Sequence, residues 1–151
     1  MLFEFGRYIV EVNIEATKAF YNSTRSLSTN EACKCDRCQR FPKAILSSSN
    51  AVLDFLYCLG IDPTKAGEVF GTSDDEVDRY YGWYHVVGTL IEGRVTDINC
   101  DESNAFVPDL NTNFKVWFED NPVKMGWIEK DFPSPTLEIS FSAELPISHA
   151  Q

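Results

Sequence analysis

The sequence predicts a single α+β domain, an antiparallel sheet whose helices are inserted after the first strand. Three observations lead there. Residues 7–15 (RYIVEVNIE) alternate Tyr8, Val10, Val12 and Ile14 with Arg7, Ile9, Glu11 and Asn13, the period of two expected of a strand with one buried face. Residues 38–71 carry helical spacing and helix punctuation. The second half then returns to two-fold alternation in three segments: 83–91 (WYHVVGTLI), 114–119 (FKVWFE) and 136–145 (TLEISFSAEL).

In order along the chain, residues 16–22 follow the first strand as a short helix, and residues 23–31 (STRSLSTNE) read as a loop leading into a cysteine cluster. Pro42 suits the first turn of a helix, with Ala44, Ile45 and Leu46 behind it. Ser48, Ser49 and Asn50 offer caps for the next helix. Its stripe is Val52, Leu53, Leu56 and Leu59, and Gly60 closes it. Asp62-Pro63 repeats the cap-then-proline pattern for a short helix ending at Gly71. Ser73-Asp74-Asp75-Glu76 has the form of a capping box. Residues 97–113 read as a long loop or a frayed edge. The 151 residues, 44% hydrophobic and 24% charged, suffice for one core, and no internal repeat or low-complexity tract divides them.

The opening residues, MLFEFGR, lack a basic stretch followed by an apolar one, and no long uncharged apolar run occurs. Neither standard export nor a membrane span is expected. Five cysteines, an odd and unevenly spaced set, do not resemble a secreted disulfide framework, so a reducing cytoplasm is the expected setting. The net charge of −10 is unevenly placed. Residues 1–65 hold eight Lys or Arg against seven Asp or Glu, while residues 66–151 hold five against sixteen. The second half would repel nucleic acid phosphates and favour a basic protein partner, if it has a charged partner at all. As a surface feature alone, the same charge aids solubility.

The densest chemistry lies in Cys33-Lys34-Cys35-Asp36-Arg37-Cys38, a C-x-C-x-x-C run. Zinc takes four ligands, and a C-x-x-C turn can place two thiolates on one ion. Cys35 and Cys38 supply that pair and Cys33 a third ligand. Lys34, Arg37, Arg40 and Lys43 place four of the thirteen basic residues beside them, which favours thiolates. His85 is the candidate fourth ligand, since it shares a strand face with Trp83 and Val87 and a buried imidazole needs a partner. The competing reading gives His85 a backbone or carboxylate partner. Cys58, Cys100 and Asp36 are weaker candidates, Cys58 reading as a small buried hydrophobe and Cys100 as an exposed, idle thiol. His149 lies near the carboxyl end. A reversible disulfide within the cluster, or plain thiols, are the alternatives to metal. A thioredoxin-like centre is disfavoured because the motif follows a loop.

Asp97-x-Asn99-x-Asp101 begins like a calcium loop but has Glu102 where Gly is required and Pro108 where a bidentate Glu is required. Phosphate-loop, dinucleotide, serine-hydrolase and zinc-protease motifs do not occur. The aromatic residues Tyr80, Tyr81, Trp83, Tyr84, Phe114, Trp117 and Phe118 are expected in the core rather than on a stacking platform.

The segments V-x-I-E-A-T-K (12–18), Cys33-x-Cys35-x-x-Cys38, Leu59-Gly60-Ile61-Asp62-Pro63 and Gly82-Trp83-Tyr84-His85-Val86-Val87-Gly88 together resemble a family of small bacterial proteins without assigned function. The run Pro133-x-Pro135-x-Leu137-x-Ile139-x-Phe141 and Leu145-Pro146 are similar too. The resemblance implies a shared role for the three cysteines and His85, and no substrate, cofactor or reaction. The expectation is a non-enzymatic, cytoplasmic bacterial domain with a structural zinc. The alternatives are an acidic, immunity-like interaction module and a metal- or thiol-dependent enzyme.

Overall fold

The computed structural model describes residues 1–24, 35–95 and 101–147. Among them are three helices and six strands in one antiparallel sheet, the α+β fold that the sequence predicts. The chain opens with a hairpin, β1 (Leu2–Phe5) and β2 (Tyr8–Val12). Gly6 takes the first place of the two-residue turn with φ +60, the conformation such turns reserve for glycine. β1 was invisible because four residues are too few to establish a period. The helices therefore follow this hairpin.

α1 (Ile14–Ser23) is capped by Asn13, whose side chain accepts from the Ala16 N–H at 3.0 Å. α2 (Asp36–Leu46) starts six residues before Pro42, with Cys35 as its cap. The proline is thus internal. Buried Cys38, Phe41 and Ile45 on one face hold the helix despite the donor it lacks. α3 (Asn50–Cys58) is capped by Ser49 and ends before Gly60, at φ +86.

The expected helix after Asp62 is only a turn, in which the Asp62 carboxylate accepts from the Thr64 N–H, and residues that were to complete it form β3 (Glu68–Ser73). The expected capping box is the β3–β4 hairpin loop. There the Asp74 carboxylate accepts from the N–H groups of Glu76 and Val77 at 2.9 and 2.8 Å, a carboxylate caging a turn as readily as it caps a helix. β4 (Val77–Glu92), β5 (Lys115–Glu119) and β6 (Thr136–Pro146) complete the sheet.

Strand order is β1-β2-β4-β6-β5, with β3 also on β4. β4 runs sixteen residues and carries β6 along one edge from Val77 to Val87. Its other edge is shared: β3 pairs with 78–83 and β2 with 88–92. α1 fills the gap between them with side chains. The Thr17 hydroxyl accepts from the buried Val87 N–H at 3.0 Å, and the Tyr21 hydroxyl donates to the His85 carbonyl at 2.8 Å. Burial pushes the Tyr21 phenol far above its ordinary value, which keeps it a donor.

The core lies between the helices and one face of the sheet. Phe41 of α2 packs on Tyr80 and Phe141, while Tyr80, Tyr84, Leu137, Ile139 and Phe141 alternate inward. Phe5, Phe55, Phe106 and Phe118 form an aromatic cluster that ties β1 to α3 and β5. Buried Asp78 clamps α2 to the hairpin. It accepts two hydrogen bonds from Arg40 at 2.8 Å each and one from Ser73 at 2.6 Å, and it lies 3.2 Å from the Tyr80 hydroxyl, which shares its one proton between Asp78 and the nearer Arg37 carbonyl at 2.6 Å. None of the helices among the described residues is long and apolar enough to cross a membrane.

Candidate functional site

Because successive strand residues point to opposite faces, the register of the sheet fixes what its outer face displays. Tyr81 pairs with Ser142, which pairs with Lys115; Trp83 pairs with Ser140, which pairs with Trp117; His85 pairs with Glu138, which pairs with Glu119. On the other side of β4, Phe70 lies beside Tyr81 and Glu68 beside Trp83. The outer face therefore has a serine floor between aromatic walls. It forms an open groove of about 340 Å³.

The rings on this face are not core residues. Phe70 is 53% exposed and Tyr81 45%, and the two stack with centroids 6.0 Å apart. Trp83 and Trp117 are half-buried, each held by its indole N–H: Trp83 donates to the Trp127 carbonyl at 3.1 Å and Trp117 to the Asp101 carbonyl at 3.0 Å. The expectation that the aromatics pack inside holds for Tyr80, Tyr84, Phe114 and Phe118 and fails for Tyr81, Trp83 and Trp117. Alternation sends neighbouring rings to opposite faces, which a count of aromatic residues cannot register.

The charge of the face is acidic. Glu68, Glu102, Glu119 and Glu144 lie on it or at its rim, and its two cations are already engaged, Arg79 with Asp74 and Glu144 and Lys115 with Glu102. The Asp74 carboxyl is held below the ordinary range, chiefly by the Glu76 and Val77 N–H groups and then by Arg79.

At one end of the same face, His85 and Glu138 are buried together, Nε2 to Oε1 at 3.1 Å. Glu138 also accepts from the Gly126 N–H at 2.7 Å and, at its other oxygen, from Ser140 at 3.3 Å. Phe132 stands against the imidazole with ring centroids 5.9 Å apart. The partner of His85 is thus a carboxylate, the competing reading of the sequence. The place of Glu138 opposite His85 follows from register alone.

Of the residues expected to hold zinc, Cys33 lies outside the described residues, as do Cys100 and His149. Cys35 and Cys38 come together on the first turn of α2, where the Cys35 sulfur accepts from the Cys38 N–H at 3.4 Å. Cys35 is exposed; Cys38 is 2% exposed, and its thiol points to the Val69 carbonyl 4.0 Å away. α2 covers the face that bears Tyr80 and Phe141, whereas His85 projects from the opposite one, so the sheet lies between His85 and the cysteines. Among the described residues, no group of three or more His, Cys, Asp or Glu is placed to hold a metal ion. Cys58 is an exposed thiol rather than a core residue, because the buried stripe of α3 runs through Val52, Phe55 and Leu56. No family model matches this chain, and no curated protein and no solved structure matches it either.

Proposed function

We propose that this chain is a binding domain that takes a basic protein segment on the outer face of its sheet. The observation that carries this reading is the exposed pair Phe70 and Tyr81, continued by the half-buried Trp83 and Trp117 around the groove and set in an acidic rim. Contact surfaces draw most of their affinity from a few aromatic anchors ringed by polar residues, and the flat rings here offer themselves to Arg and Lys side chains through cation–π contact. Among the described residues, the strand-borne cations of the face, Arg79 and Lys115, are paired to its own acids, so it repels a second acidic surface and attracts a basic one.

The test is a titration with tryptophan-free basic peptides, following the emission of Trp83 and Trp117 in a chain that carries Trp127→Phe, at low and at high salt. Affinity should collapse as the screening length falls from about 10 Å to about 3 Å. Tyr81→Ala and Trp117→Ala should each weaken binding roughly 30-fold or more, the loss of an anchor worth about 2 kcal/mol. Binding that ignores both salt and these substitutions would refute the assignment.

A further inference from the structure

The arrangement of Cys35 and Cys38 points to a second property, separate from the sheet face and on the other side of it. Residues three apart at the start of a helix have Cα atoms roughly 5 Å apart, inside the span that a disulfide bridges. The Cys35 side chain already lies over the Cys38 backbone, its sulfur 3.4 Å from the Cys38 nitrogen. The two sulfurs differ in kind. Cys35 is exposed at the cap of an eleven-residue helix, its sulfur accepting from the first-turn N–H of Cys38 at the positive end of the helix dipole. Cys38 is buried against β3, out of reach of solutes but next to Cys35. Asp36 stands beside the pair, while Arg40 is spent on Asp78. The hydroxyl of Tyr80 donates to the Arg37 carbonyl at 2.6 Å, and together with the Asp78 clamp this fixes the turn that holds both thiols.

We propose that Cys35 and Cys38 form a thiol–disulfide exchange site, with Cys35 as the attacking sulfur and Cys38 as the resolving one, acting on small exposed disulfides. The Cys35 thiolate attacks one sulfur of the incoming disulfide. That S–S bond breaks, and the departing sulfur leaves as a thiolate that takes a proton from water. Cys38 then attacks the Cys35 sulfur, its proton passing to the departing sulfur, which leaves as the second thiol. The chain ends as the Cys35–Cys38 disulfide, oxidised by two electrons, and the substrate ends as two thiols.

The experiment uses the full chain carrying Cys33→Ser, Cys58→Ser and Cys100→Ser, so that only the pair remains, incubated with glutathione disulfide and glutathione in varied ratio. Acid quenching and intact mass then read the products. The expected product lacks two hydrogens and reverts on reduction. Adding Cys38→Ala should trap a glutathione adduct on Cys35. Adding Cys35→Ser, which keeps a capping hydroxyl, should slow the reaction at least tenfold, because Cys38 is shielded. Circular dichroism of each variant establishes that the fold persists. Failure to form the intramolecular bond at any ratio overturns the proposal, as does equal reactivity of the two single-cysteine chains. One zinc per chain in the freshly purified natural sequence, lost with Cys35→Ser, would also overturn it, since the thiolates would then be metal ligands.

Discussion

Asp78→Ala should be among the most destabilising single changes on the inner face of this protein, and its cost can be worked from its partners. Asp78 is buried and receives two hydrogen bonds from Arg40, one from Ser73 and a share of the Tyr80 proton. Removing one member of a buried pair costs about 3–5 kcal/mol when the remaining charge is stranded. Here stranding is partial, because the Arg40 side chain is 35% exposed and can turn to water. Tyr80 likewise keeps an acceptor in the Arg37 carbonyl. The lower bound therefore applies, about 3 kcal/mol, or a fall in Tm of about 6–12 °C for a chain of this size.

The same residue gives a pH signature. Burial raises the Asp78 carboxyl, but Arg40, Ser73 and Tyr80 more than offset this, and it titrates below its ordinary value. A depressed carboxylate contributes stability that is complete above the unfolded value of about 3.9 and is lost as pH falls through the folded one. Urea melts of the natural chain and Asp78→Asn at a series of pH values should thus show a gap that is constant near neutrality and narrows below about pH 4. A double cycle with Arg40→Met should give a coupling of at least 1 kcal/mol. A cost of Asp78→Ala under about 1 kcal/mol, with additive singles, would refute the reasoning.

Two further outcomes follow from the edge of β4 and the outer-face loop. Thr17→Val preserves shape but leaves the buried Val87 N–H without its acceptor, so chemical denaturation should show a loss of about 1–3 kcal/mol, against about 1 kcal/mol for Tyr21→Phe. Gly126→Ala places a methyl within van der Waals overlap of the Trp83 ring, so it should cost about 1–3 kcal/mol by overpacking and shift the Trp83 emission, while a matched Ala at Ser140 should not.

What could be read in the sequence was what local chemistry controls. The alternation of Tyr8, Val10 and Val12, the Ser49 cap and Gly60 end of α3, and the three later strands are signals complete within a few residues, and the structure has them all. Asp62 and Asp74 show why local signals also mislead. A carboxylate that accepts from N–H groups two and three residues on serves a turn or a helix equally, and only the pairing of β3 with β4 selects the turn. Pro42 gave a similar false boundary, because burial of Phe41 and Ile45 outweighs the hydrogen bond it forfeits.

The C-x-C-x-x-C run marked the cysteines from composition and spacing alone, yet what Cys35 and Cys38 can do depends on the cap they share. The aromatic, acidic groove was beyond reach, since it is assembled from β3, β4, β5 and β6 by register. His85 is buried although its face is the outer one, and its partner lies 53 residues away in sequence and is set by strand pairing. Sequence by itself determined the fold class, the acidic second half and the place of the cysteine run, because propensity, charge and residue type are local. The tertiary structure decided which rings face water, which carboxylate meets His85 and which of two adjacent thiols is exposed, because those depend on contacts between distant segments.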